Sequence, residues 1–283
     1  MGVARFRLWR RAGSGLVWPR RPAIAHAAAI ATPSTAPQRA RGQAMVRAGL
    51  RGGRSRIVDL AMAGSAKLLF PRHRGDALDA VSLNTAGGLT GGDRFSLSTR
   101  TGAGAGLVLT TQAAERAYAA RPGDAPAQVR ASHGVDAGGR LTALPQETIL
   151  FDAAALDRST VYTLAADARL IACEVLVFGR AAMGERVRRL RLRDRIDLWQ
   201  DGALVFADRL RLDGAADDVL AQPPAMAGGG ALATLILALP GIEHRLEALR
   251  ADLGGQAGLS APRPGLVVGR VIAPDSFALR QCL

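Results

Sequence analysis

Hydrophobic and polar positions alternate in short bursts along most of this chain, and glycine separates the bursts. A period of two marks a strand that is half-buried against a core. Such runs lie at Ile57–Ala63, Lys67–Phe70, Ala80–Leu83 and Phe95–Thr99. Three longer units share one plan, a small-residue turn followed by an apolar strand. They are Thr101–Leu107 (TGAGAGL), Val135–Leu141 (VDAGGRL) and Leu164–Leu170 (LAADARL), leading into Leu107–Thr110, Leu141–Leu144 and Leu170–Phe178. Their closing leucines are 34 and 29 residues apart. Repeated turn-plus-strand units predict stacked layers, as in a β-helix or large sandwich, with ordinary β-hairpins as the alternative.

Arg189–Ile196 (RLRLRDRI) alternates strictly, so Arg189, Arg191, Arg193 and Arg195 share one strand face and Leu190, Leu192 and Ile196 the other. The arginine face is either a solvated surface or a docking surface for an acidic partner. Trp199–Phe206 reads as a hairpin around Asp201-Gly202. Residues 213–230, with Gly214, Pro223, Pro224 and Gly228–Gly230, read as a loop. Buried strands are predicted at Ala231–Leu239 and Gly265–Ile272. Helical spacing is confined to Ile242–Leu253, stopped by Gly254 and Gly255, and to a short segment from Asp275. The Ala, Glu and Arg content of Gln112–Ala120 predicts one more helix. The fold class expected is mainly β, a layered, β-helix-like single domain with a few α-helices.

Composition changes this picture little. Of 283 residues, 48% are hydrophobic and only 4% aromatic, so the core is built from Ala, Val, Leu and Ile. The net charge of +13 first suggests nucleic acid. However, residues 1–44 hold eight arginines and no acid, which leaves +5 for the rest. Lys67 is the only lysine, a skew that reads as coding bias. Cys173 and Cys282 make neither a disulfide framework nor a Cys-x-x-Cys metal pair, so a reducing, cytoplasmic setting is expected. The apolar run at Leu235–Pro240 is too short to span a bilayer. Residues 1–38, acid-free and rich in Arg, Ala and Pro, resemble a transit peptide or a poor secretory signal. The reading expected over these residues is a disordered extension or a start codon called too early, with the β-rich domain covering residues 39–283.

The motifs carry little catalytic signal. Asn84–Asp93 (NTAGGLTGGD) fits neither phosphate-binding glycine pattern, and Gly87, Gly88, Gly91 and Gly92 read as a structural loop. Thr111 reads as a helix cap, and Glu147 and Asp152 flank apolar Ile149–Phe151 with no nucleophile beside them. His26, His73, His133 and His244 form no metal-spaced pair, and no Gly-x-Ser-x-Gly elbow appears.

Four segments in order nevertheless resemble one family. Asn84–Arg94 (NTAGGLTGGDR), Thr110–Tyr118 (TTQAAERAY), Leu144–Asp152 (LPQETILFD) and Phe178–Arg186 (FGRAAMGER) are similar to the urease accessory protein UreD, or UreH, family. Arg195–Gly214 and Val271–Ser276 also resemble it, and the likeness runs from about Arg39 to the C-terminus. The resemblance implies a non-enzymatic chaperone of layered β fold. It implies partners as well: a UreF-like protein, a UreG-like GTPase and apo-urease. It implies no cofactor of its own, with nickel(II) passing transiently through the subunit. Oxygen donors suit such a passage because they hold the ion weakly. Within the matching segments and the strand Leu170–Phe178, Asp93, Glu147, Glu174 and Glu185 are the passage candidates, and no tight metal site is expected. Thr110, Thr111, Asp152 and Arg180 are structural or tunnel-lining polar candidates. A β-helix carbohydrate-active enzyme and an Arg-rich nucleic-acid-binding protein are the alternatives. The UreD-like reading expects no nucleic acid or membrane as partner.

Overall fold

The computed structural model describes residues 38–72, 75–180, 183–223 and 225–283. The extension expected over residues 1–38 lies outside them apart from Gln38. In chain order the first strands are β1 (Arg41–Arg51), β2 (Arg54–Gly64), β3 (Ala66–Leu69), β4 (Leu78–Asn84), β5 (Arg94–Thr101) and β6 (Gly106–Thr111). Then come β7 (Glu115–Ala117), β8 (Ala127–Val135), β9 (Arg140–Ala143), β10 (Thr148–Leu150), β11 (Ala155–Leu164) and β12 (Arg169–Phe178). The last are β13 (Arg189–Gln200), β14 (Ala203–Ala215), β15 (Ala231–Ala238), β16 (Ala257–Arg263) and β17 (Leu266–Ala273). The helices are α1 (Ala216–Leu220), α2 (Leu246–Leu253) and α3 (Ser276–Cys282). None is long and apolar enough to cross a membrane.

Two sheets face each other. The first has the order β14-β13-β11-β8-β5-β1-β2, and the main path of the second is β16-β17-β15-β12-β9-β6-β4-β3. From β4 to β13 the chain alternates between the sheets, so β5, β8, β11 and β13 lie parallel in one and β4, β6, β9 and β12 parallel in the other. The small-residue turns make the crossings. Ladder partners Leu107, Leu141 and Leu170 are the closing leucines of the sequence repeat, so its 34- and 29-residue steps are successive coils of the stack. Gly104 and Gly138 sit at φ 64° in two of these turns, which only glycine adopts at no steric expense. The mainly β, layered single domain expected from the pattern is therefore what forms.

Two local expectations are corrected. Gln112–Ala120 holds no helix, because Glu115–Ala117 is β7, paired in parallel with β10. Cross-strand hydrogen bonds outweigh the weak helix preference of Ala, Glu and Arg. Residues 213–230 are also less irregular than expected, since β14 runs to Ala215 and leads into α1.

Among the described residues two large apolar clusters fill most of the space between the sheets, and a smaller one, Ala44, Val46, Ala66 and Leu68, joins β1 to β3. One large cluster packs Leu107, Leu141 and Leu170 with Val135, Tyr162, Leu164, Ile196 and Leu198 at the end where the crossing turns lie. The other packs Leu89, Leu150, Leu176 and Phe178 with Leu156, Leu190 and Leu192 at the opposite end. A further cluster, with Cys173, Val177, Val271 and Leu279, joins the second sheet to α3.

Candidate functional site

Between the two interior clusters lies a polar layer. Along β11 the buried positions read Leu156, Arg158, Thr160, Tyr162, Leu164, and along β13 Leu192, Asp194, Ile196. Arg158 and Asp194 are ladder partners on adjacent strands. Arg158 grips Asp194 with two hydrogen bonds, Nε to Oδ1 at 2.8 Å and Nη2 to Oδ2 at 2.6 Å. Its Nη2 also lies 3.0 Å from Oε2 of Glu174, which projects from β12 across the gap. Arg158 therefore ties the two sheets together through ion pairs that are almost wholly buried.

One guanidinium faces two carboxylates, so the cluster is short of positive charge. Burial opposes ionisation of Glu174 and raises its pKa; Arg158 offsets part of that, and Asp194 adds repulsion. Burial alone would lower Arg158, but the attraction of Asp194 and Glu174 outweighs it and holds the guanidinium firmly charged. Deeper along the first sheet, His133 stacks on Tyr162 at 5.1 Å, and its Nδ1 shares a 2.9 Å hydrogen bond with the Thr99 hydroxyl. Burial holds His133 down to about 4, so the ring is neutral.

This layer lines a cavity of about 320 Å³. The second sheet explains how the cavity reaches the surface. β4 ends at Asn84 and the chain rejoins the sheet at Leu89, which bridges Ala117. β6 ends at Thr111 and resumes as β7 at Glu115. β9 ends at Ala143 and resumes as β10 at Thr148. β12 runs through unbroken, pairing with β9 up to Ala172 and with β10 from Leu176, so Glu174 sits at the interruption. Three successive strands thus break at one level and leave a seam. Asn84, Gly87, Thr111, Gln112, Glu115 and Gln146 are among the cavity-lining residues there.

The seam is built by the sequence segments singled out above. Asn84 donates from Nδ2 to the Gly88 carbonyl at 3.0 Å and to Glu115 Oε2 at 3.2 Å, and its Oδ1 accepts from the Ala86 N–H at 2.9 Å. Gly88 has φ 149°, and a Cβ there would lie 2.4 Å from the Tyr118 ring. Gly91 has no positive φ, but its Cβ would meet Asp124 at 2.7 Å. Gly87 and Gly92 take positive φ at 81° and 86°. Thr110 donates to the Leu144 carbonyl at 2.7 Å, and the Thr111 hydroxyl accepts from the Gln146 N–H at 2.9 Å. Both threonines lace adjacent breaks together. Burial raises the pKa of Glu115 at the mouth, and Asn84 offsets part of that rise.

Of the four carboxylates singled out in the sequence, Glu174 alone is among the cavity-lining residues. Asp93 is buried with both oxygens committed, Oδ1 to the Ala40 N–H and Oδ2 to the Thr90 N–H, each at 2.8 Å. It closes the glycine loop from behind. Glu147 pairs with Arg280 of α3 and lines a groove on the outer face of the second sheet. Glu185 pairs with Arg180 at 2.7 Å, and Arg180 lies 4.3 Å above the Phe151 ring. Asp152 accepts from the Arg188 and Arg189 N–H groups at 2.8 and 2.9 Å, and the Arg189 bond leads in keeping its pKa low. Arg158, Asp194 and Glu115 are the site residues that the motif reading missed.

Among the described residues no three His, Cys, Asp or Glu side chains are arranged to hold a metal ion. His133 has a threonine rather than a carboxylate as its partner, so it lacks the orienting acid of a hydrolase triad. The cavity instead presents oxygen donors in series: Glu115 and Thr111 at the mouth, then Thr148, Thr160 and Glu174.

Residues 40–283 match the family model of the UreD urease accessory protein. The chain is 46% identical over 254 residues to the urease accessory protein UreD of Methylobacterium sp. (strain 4-46), covering 86% of this chain and 89% of that protein. It is 43% identical over 253 residues to the urease accessory protein UreD of Roseobacter denitrificans, covering 89% and 92%. For the urease accessory protein UreD of Ruegeria pomeroyi the identity is 46% over 234 residues, covering 83% and 91%. With the layered β fold, the seam motifs in order and these matches along nearly its whole described length, the chain belongs to the UreD family of urease accessory proteins.

Proposed function

We propose that this protein takes up nickel(II) at the seam of its second sheet and passes it along the polar layer toward apo-urease. In this reading it acts in the cytoplasm, in an assembly with UreF-like and UreG-like partners, and turns over no substrate of its own. The observation that carries the reading is the polar layer itself. Arg158, Glu174 and Asp194 tie the sheets together, and they also put a charged, cavity-lining layer between two apolar clusters. Burying charge is unfavourable unless it is paired, and a charged group with a shifted pKa that lines a cavity is a candidate for function.

Nickel is cargo here, so it must be held and then released. Carboxylate and hydroxyl oxygens arranged singly offer weak binding sites in series, whereas three clustered ligands would trap the ion. Glu115 supplies the first carboxylate at the mouth and Glu174 the second inside. Asp93 serves by holding the mouth loop, and Glu147 and Glu185 by fixing neighbouring segments.

The test is urease activation in cells that co-express the urease subunits, the accessory partners and each variant at limiting nickel. Glu115→Gln and Glu174→Gln keep volume and remove charge, and each is expected to slow activation while partner capture persists. Full activation by both variants would refute the route. Full activation with the protein absent would refute the maturation role itself.

A further inference from the structure

The outer face of the first sheet is set by the same register that builds its interior. One ladder row runs Arg41, Arg94, Gln128, Asp157, Arg193, Arg211 across β1, β5, β8, β11, β13 and β14. The next row carries Arg130, Arg195 and Arg209 on β8, β13 and β14. Six strands at about 4.8 Å spacing span about 24 Å, and the rows lie about 7 Å apart. Two adjacent rows thus hold seven arginines and one aspartate. Asp157 accepts from Arg195 at 2.7 Å and lies 3.1 Å from Arg130. Arg209 pairs with Asp197 at 2.5 Å, and Arg211 with Asp213 at 3.3 Å. Arg41, Arg94 and Arg193 are exposed and make no ion pair among the described residues.

A general excess of arginine does not explain this. The outward rows of the second sheet read Asp79, Val108, Thr142, Ile171 and, one step along, Gly106, Arg140, Arg169; they hold two arginines, one of them paired with Asp76. Charges of one sign packed this closely repel one another, and the three aspartates beside them engage only four of the seven arginines, so a negative counter-surface would relieve the face. The protein's own N-terminal residues, 1–37, carry arginines and no acid, and so do not supply it.

We infer that this double row docks an acidic protein surface, one presenting clustered Asp and Glu side chains. A protein fits better than a nucleic acid. Asp157, Asp197 and Asp213, in and beside the two rows, would repel a continuous phosphate backbone, whereas an acidic protein surface can set occasional basic side chains of its own against them. A single-strand binder also interleaves aromatic stacking platforms, and in these two rows there are none. The inference rests on the reading above only for the proteins used in the test.

The full-length protein and its Arg41→Glu, Arg94→Glu, Arg193→Glu, Arg211→Glu quadruple variant are titrated with purified UreF-like protein, UreG-like protein and apo-urease, each alone. Salt is varied between about 50 and 200 mM, and duplex DNA is run in parallel. The variant should bind one of the three proteins at least about tenfold more weakly, and the wild type's binding to that protein should weaken as salt rises. Thermal melting checks the fold, and Arg41→Ala with Arg193→Ala serves as a milder pair, expected to weaken the same partner by at least about threefold. Affinities unchanged for all three proteins in both variants would overturn the inference. Duplex DNA bound by the wild type and lost in the variant, with protein binding unchanged, would overturn it in favour of nucleic acid. Binding of none of the three by the wild type would overturn the functional reading, and this inference with it.

Discussion

The two sheets are made by the same winding chain yet differ in one respect. In the first, β5, β8, β11 and β13 pair without a break along their length. In the second, β4, β6 and β9 all stop at one level and resume beyond it. The unbroken sheet sets the level of each side chain, and the broken one admits solvent to it. An opening into a β stack therefore needs no helix or lid, because it arises when successive coils carry an excursion at the same position. Segments 85–88, 112–114 and 144–147 are those excursions, and Arg158 spans the gap behind them.

The change that strikes hardest at this arrangement is Arg158→Ala. It leaves Glu174 and Asp194 buried without a counter-charge, and is expected to lower unfolding stability by about 3–5 kcal/mol in urea titrations. Adding Glu174→Gln should restore part of the loss. A loss below about 1 kcal/mol would mean that the sheets are not pinned at this level.

His133 tests the unbroken sheet by pH. Its folded pKa of about 4 lies below the unfolded value near 6.5, so the unfolded chain binds the extra proton between them. The stability that its burial contributes is present above about pH 6.5 and is lost as pH falls toward 4. The difference is about 3 kcal/mol at about 1.4 kcal/mol per pKa unit. Glu174, raised by burial, works in the opposite sense. The readout is therefore the difference curve between wild type and His133→Gln, which should slope through that window.

Glycines separate the sheets more gently. Gly88→Val, at φ 149° and against Tyr118, should lose about 1–3 kcal/mol. Gly134→Ala on the unbroken sheet, where the nearest atom to a new Cβ is Arg100 Cγ at 3.8 Å, should change stability by less than about 0.5 kcal/mol. Equal melting shifts for the two would erase the distinction. Small as well, Asp157→Asn removes a carboxylate of the outer face held by two arginines and should shift stability by less than about 1 kcal/mol.

Much of the fold was legible because periodicity reports burial directly. The leucines Leu107, Leu141 and Leu170 recur where the coils close, so their spacing is the coil length. The Glu115–Ala117 strand was not legible, since its strand signal is pairing to residues far along the chain, Leu89 on one side and Thr148–Leu150 on the other. The site was legible in part. Reading motifs for carboxylates found Glu174 but also Asp93, Glu147 and Glu185, whose partners are backbone amides and arginines outside the cavity. A signal for the missed pair was present. Asp194 falls on the leucine face of a strictly alternating strand, and Arg158 stands between Leu156 and Leu164 in the same phase. A charge on an apolar face requires an opposite charge facing it, and each supplies the other's.

The crossing turns have a consequence for how the chain is made. Gly104 N–H donates to Ala137 O at 2.9 Å, and Ala165 N–H to Val135 O at 2.9 Å, so each turn docks on a neighbouring coil. Every coil beyond the first can thus settle on one already in place after closing a loop of about thirty residues, a modest entropic demand. Assembly can then follow synthesis, with each emerging coil templated by its predecessor. The antiparallel strands β15, β16 and β17 follow these coils in the chain, so the flank of β12 that they cover stays open until they are made.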